Sequence, residues 1–152
     1  MKSAKTLSIV IGCLLGCFFQ SPPAQAIDAY LYLKDKMRPL YIQNIKFHFY
    51  KSHTGTEAII VFIPEQGKYH HYAFDRLRDI EFQALAGSRN LQPIFKIRAY
   101  LEEKAHFLNV SLMPLSKISG IHKGRSWNYK LAITGDENEH AETLDKIHFK
   151  PW

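Results

Sequence analysis

The chain has 152 residues, 20 lysines and arginines against 14 aspartates and glutamates, and a formal net charge of +6 at neutral pH. A basic excess of this size falls short of the dense basic face that nucleic-acid binders carry, so no nucleic-acid partner is expected. Both cysteines, Cys13 and Cys17, lie close to the N-terminus, which leaves the rest of the chain without a disulfide, a thiol nucleophile or a Cys-type zinc site.

Lys2 and Lys5 precede an apolar run from Leu7 to Phe19, and Ala24-Gln25-Ala26 follows it. A basic start, a short apolar stretch and a small-x-small site are the plan of a secretory signal peptide, here with cleavage after Ala26. The run is interrupted by Gly12 and Gly16 and is shorter than the roughly twenty apolar residues that a spanning helix needs. Leu14-Leu15-Gly16-Cys17 resembles the lipobox of bacterial lipoproteins, so acylation at Cys17 is the alternative route to the membrane. Against it, Phe18-Phe19 continue the apolar run where a polar tether would begin. The expectation is an exported protein, periplasmic or secreted, with residues 1–26 as leader and 27–152 as one domain, large enough to bury a core. Loss of Lys2 and Lys5 lowers its charge to +4.

Within that domain a period of two recurs almost throughout. Ala29 to Leu33 places Tyr30 and Tyr32 on one face and Leu31 and Leu33 on the other, a strand ended by Lys34-Asp35-Lys36 and Pro39. Leu40 to Tyr50 alternates Ile45, Phe47 and Phe49 with Asn44, Lys46 and His48, which predicts one buried and one wet face. After the turn at His53-Thr54-Gly55, Ala58 to Ile63 is apolar at every position, as in a strand covered on both sides. Pro64-Glu65-Gln66-Gly67 turns into a fourth strand around Tyr72 and Phe74. There the period changes: Asp79 is placed to cap a two-turn helix with Ile80, Phe82 and Leu85 as its apolar stripe and Gly87 at its end.

Beyond Pro93, Phe95, Ile97, Ala99 and Leu101 alternate with Lys96, Arg98 and Tyr100, and Glu102-Glu103-Lys104 reads as a hairpin tip. The returning strand buries Leu108, Val110 and Leu112 and stops near Pro114. SKISGIHKGR reads as a polar connection to a strand that carries Trp127, Tyr129, Leu131 and Ile133 at spacing two, with Trp127 and Tyr129 inward and Asn128 and Lys130 outward. Gly135 to Glu139 is an acidic loop, and Thr143 to Trp152 the closing strand. The sum is an all-β barrel or sandwich of about seven to eight strands with one short helix.

The chemistry-bearing residues form no familiar catalytic pattern. His70 and His71 are adjacent in a strand and point to opposite faces, and His140 with Glu142 adjoins the acidic loop. Neither H-E-x-x-H nor a Cys/His ligand spacing is present, so no metal and no cofactor are assigned. There is no Gly-x-Ser-x-Gly elbow and no serine beside an activating base. Asp75, Asp79, Glu81, Glu102 and Glu103 fall at strand ends, a helix start and a turn. The expectation is a non-enzymatic protein without catalytic residues. His122 to Lys130 interleaves basic and aromatic side chains, a pattern that could stack bases, but its alternation continues through Leu131 and Ile133 as a strand does. Lys96, Arg98, Arg125 and Lys130 are candidate contacts for an anionic envelope component.

The order of segments resembles the Hcp family, the tube protein of the bacterial type VI secretion system. IDAYLYLKD is similar to that family's opening strand, AFDRLRDIEFQALAGSRNLQPIFKIRAY to its strand, short helix and strand, AHFLNVSLMPLSKIS to its next hairpin, and LDKIHFKPW to its closing strand. The resemblance implies a small β-barrel with a helix on its side, homo-oligomeric hexameric rings that stack into a tube, effector proteins as cargo, and no catalytic residues. Lys36-Met37-Arg38-Pro39 stands where the family commonly carries a Gly-Glu-Ser motif, and the leader departs from a tube assembled in the cytoplasm.

Overall fold

The computed structural model describes residues 26–101, 107–133 and 143–150. Ten strands form among them: β1 (Ala29–Leu33), β2 (Leu40–Phe49), β3 (Ala58–Ile63), β4 (Lys68–Ala73), β5 (Leu77–Arg89), β6 (Gln92–Leu101), β7 (Phe107–Leu112), β8 (Leu115–His122), β9 (Arg125–Lys130) and β10 (Leu144–Phe149). They make one antiparallel sheet in the order β4-β3-β7-β6-β5-β10-β1-β2-β8-β9.

The sheet curls around a single apolar core that begins at Ile27 and takes buried side chains from nine of the ten strands, with the half-buried Tyr72 of β4 packed against it. The alternation read from the sequence supplies it. Leu31 and Leu33, then Ile45, Phe47 and Phe49, then Phe95, Ile97 and Ala99 are buried, and Tyr129 and Leu131 close the far side. Phe74 is its centre, edge-on to Phe47 at 5.0 Å and stacked on Phe149 at 4.7 Å, an arrangement that favours aromatic pairs beyond their burial.

The curl depends on a bend in β2. Asn44 has φ 52, a left-handed conformation that Asn tolerates because its short polar side chain bonds locally. The Asn44 N–H donates to Asp28 Oδ1 at 3.0 Å, and the β2–β8 register shifts between Gln43 and Lys46. Before the bend β2 pairs with β1; from Gln43 onward it pairs with β8. Gly120 on β8 lies against this corner. A Cβ there would sit 2.4 Å from Ile42 Cγ2 and 2.7 Å from the Gln43 carbonyl.

Three expectations are corrected. The predicted helix at Asp79 to Gly87 is part of strand β5, paired with β6 on one side and β10 on the other. No α-helix occurs among the described residues; only short 3-10 turns at Pro64–Gln66 and Phe74–Arg76 do. The cause is visible in the register, which shifts between Leu77 and Asp79, Phe82 and Ala84, and Leu85 and Gly87. Each shift is a bulge that moves the buried phase by one residue, so Leu77, Ile80, Phe82 and Leu85 mimic a helical stripe. Second, the strands number ten, not seven or eight. Third, SKISGIHKGR is strand β8 and a hairpin into β9, whose two-residue turn has Lys123 at φ 50 and Gly124 at φ 74, the pair of left-handed residues that such hairpins require. Val61 and Ile59 are buried as expected, but Phe62 at the end of β3 faces outward, 39% exposed. Residues 1–25 of the expected leader, Glu102 to Lys104, the acidic loop with His140 and Glu142, and Pro151-Trp152 lie outside the described residues.

Candidate functional site: the outer faces of the sheet

Side chains that point away from the core form two charged surfaces, and they differ in how their charges are matched. The first lies over β10, β5 and β6. Cross-strand partners Tyr41, Tyr30, His148, Asp79, Tyr100 and Phe107 follow one another across six strands. At its middle the Asp79 carboxylate, 6% exposed, accepts from Arg78 Nε at 2.8 Å, Lys146 Nζ at 3.1 Å and His148 Nδ1 at 2.8 Å. Burial alone would raise the Asp79 carboxyl, but the bonds from His148, Arg78 and Lys146 outweigh it and hold it below its ordinary value. Beside it Glu81 takes Tyr100 OH at 3.2 Å and Arg98 at 3.7 Å. Cations also cover rings: Arg78 over Tyr100, Arg98 over Phe107 and Lys150 over Tyr30, each within 5.5 Å. Charge around Asp79 and Glu81 is satisfied from within, and the chemistry there is that of a fastening.

The second surface lies over β2, β8 and β9. Lys46 pairs with Ser119 and Ser119 with Asn128; His48 pairs with Lys117 and Lys117 with Lys130. Cross-strand partners share a face, and Ile45, Phe47, Ile118 and Tyr129 beside them are buried, so these six side chains stand outward together. His48 Nε2 meets Ser119 Oγ at 2.7 Å. Gly55 makes room for the ring: a Cβ there would lie 2.8 Å from His48 Cε1 and 2.9 Å from Nε2. Burial first, then Lys117 and Lys46, push the His48 imidazole below its ordinary value. Among the described residues no carboxylate pairs with Lys46, Lys117 or Lys130. Lys117 and Lys130 stand directly opposite each other, a like-charge arrangement that is unfavourable in a sheet.

The Ser119–His48 contact joins a hydroxyl to an imidazole, the first half of a nucleophile and base. A working pair also needs an acceptor that orients the other ring nitrogen and raises its basicity. Here the charged neighbours are lysines, which lower it. The arrangement is better suited to holding an anion, with three ammonium groups, a hydroxyl and the Asn128 amide facing one way.

The residues singled out from sequence divide between the surfaces. Lys96 and Arg98 are on β6, Arg125 and Lys130 on β9, with five strands between them in the sheet order. Arg98 is engaged by Glu81 and Phe107, and Arg125 is exposed at the hairpin end opposite His122. Only Lys130 joins the unmatched cluster. Lys46 and Lys117 were missed; Lys46 had a signal, its place on the wet side of an alternating strand, whereas Lys117 lay in a segment read as a connection. His70 and His71 face opposite sides of β4, half-buried and exposed. No group of three or more His, Cys, Asp or Glu side chains with metal-binding geometry occurs among the described residues. No family model, curated protein or solved structure matches the chain.

Proposed function

We propose that this chain is an exported, non-enzymatic binding module that holds an anionic component of the cell envelope on the lysine face of β2, β8 and β9. One observation carries the reading. Lys46, Lys117 and Lys130 stand together across neighbouring strands and, among the described residues, without ion pairs, while the cations around Asp79 and Glu81 are matched. An anionic ligand would relieve their mutual repulsion, and strands about 4.8 Å apart set the charges at the spacing of a charged polymer or headgroup layer. The test is binding of the chain from Ile27 to phosphatidylglycerol vesicles and to lipopolysaccharide, at low and high salt. The expected result is saturable binding that weakens steeply with salt and is lost in the triple variant Lys46→Glu, Lys117→Glu, Lys130→Glu. Reversal of Lys96 and Arg98 leaves it intact. Undiminished binding by the triple variant would overturn the reading.

A second reading, the ring-forming tube subunit that the resemblance to Hcp implies, draws support from the order of the strand segments, without the helix that resemblance implied, and from β4 and β9, which end the sheet order among the described residues. Head-to-tail pairing of such edges closes a ring when the rotation permits. A ring-sized particle by light scattering or electron microscopy is its expected outcome, and a strict monomer at high concentration removes it. Export itself is tested at the mature N-terminus: Ile27 marks a cleaved leader, acylated Cys17 a lipoprotein, and intact Met1 neither.

A further inference from the structure

The register leaves a strand edge open in the interior of the sheet order. β3 meets β7 at Val61–Leu112 and Phe62–Ser111, and the Met113 N–H donates to the Ile60 carbonyl at 2.8 Å. Antiparallel hydrogen-bonded positions recur at every second residue. Positions 113, 111, 109 and 107 therefore aim their backbone groups toward β3, and 112, 110 and 108 toward β6. But β3 ends at Ile63, and the chain turns away through Pro64–Gln66. By register the residue opposite Asn109 is Pro64, which has no N–H to offer. The N–H and C=O of Phe107 and Asn109 thus have no strand beside them among the described residues. The space left is a groove of about 620 Å³ whose lining includes Phe62, Glu65, Lys96 and Phe107.

We propose that this groove takes an extended segment of a partner protein, which pairs with β7 along Phe107–Val110 as an added strand. Aligned main-chain donors and acceptors at alternate positions are satisfied by another strand, and side-chain pockets then set specificity. Two parts of the groove's lining do so here. Phe62 and Phe107, 39% and 47% exposed, offer apolar walls to one side chain. Lys96 is exposed and without an ion pair among the described residues, so it selects a carboxylate. Glu65 on the groove favours a basic or neutral residue beside it. The occupant is an alternating apolar and acidic segment, and the surface is distinct from the lysine face.

The probe is a displayed library of random peptides of about twelve residues, selected on the chain from Ile27. Enriched sequences are expected to alternate apolar residues with Asp or Glu and to bind saturably. In the free protein the amides of Phe107 and Asn109 exchange with solvent faster than those of Leu108 and Val110; the synthetic peptide slows the first pair alone. Asn109→Pro removes the N–H aimed at the groove and spares the ladder to β6, so affinity falls at least about tenfold, whereas Asn109→Ala keeps the N–H and the binding. Lys96→Glu, an exposed change, shifts the selected charge from acidic to basic. No enrichment, equal protection of all four amides in the free protein, unchanged binding by folded Asn109→Pro, or an unchanged selection by Lys96→Glu would each overturn the proposal.

Discussion

Asp79 and His48 are both held away from their ordinary titration, by opposite neighbours. Asp79 is a nearly buried carboxylate whose three donors outweigh its desolvation. Its folded pKa is depressed, so its stabilisation is present above the unfolded value of about 4 and is lost as pH falls through the folded value. Asp79→Asn leaves Arg78, Lys146 and His148 facing a neutral group and is expected to cost about 2 kcal/mol, read as a lower midpoint in urea at neutral pH. An unchanged midpoint would show that the cluster is ornamental to stability. His48 is kept neutral by burial and by Lys117 and Lys46. The unfolded chain protonates this residue near pH 6.5 and the folded chain resists, so stability is full above that value and declines as pH falls below it. His48→Gln should flatten that decline between about pH 6.5 and 5. A polyanion bound on the lysine face would oppose it, since it favours the protonated ring.

At the scale of the element, β5 decides the most. Its residues from Asp79 to Gly87 include good helix formers, Glu81, Gln83, Ala84, Leu85 and Ala86, yet they lie in a strand paired with β6 along its length and with β10 at Asp79, Ile80 and Glu81. Propensity differences of a few tenths of a kcal/mol per residue are outweighed by burial of Leu77, Ile80 and Phe82. The β5–β6 turn carries Asn90 at φ 49 and Leu91 at φ 64, with Leu91 56% exposed. Asn is at home there and Leu is not, so Leu91→Gly should stabilise by about 0.5–1 kcal/mol after the added freedom of the unfolded chain is subtracted; thermal unfolding measures it. Gly120 is the reverse case. Alanine meets Ile42 and the Gln43 carbonyl, and a loss of about 1–3 kcal/mol is expected, or a shift of the β2 corner seen in amide chemical shifts.

Over the whole molecule, the cations are sorted. Among the described residues Arg78, Arg98 and Lys146 are engaged by Asp79, Glu81 and aromatic rings, whereas Lys46, Lys117 and Lys130 above β2, β8 and β9 have no carboxylate partner. This predicts that the triple lysine reversal abolishes anion binding and leaves the fold intact, since exposed charges contribute little to stability; circular dichroism beside the binding assay separates the two effects.

The alternation of β1, β2, β6, β7 and β9 was legible in the sequence because a strand with one wet face writes its burial in every second residue, and the all-β class followed. Lys130 and the wet side of β2 were legible for the same reason. The bulges of β5, the bend at Asn44 and the pairing of Lys117 between His48 and Lys130 were not. Each depends on which strands lie beside which, and register between distant segments leaves no mark on local spacing. The grouping of charges into two faces and the stretch of β7 left unpaired by β3 among the described residues were therefore decided by tertiary structure, where a strand ending at Ile63 and a turn at Lys123 set what stands next to what.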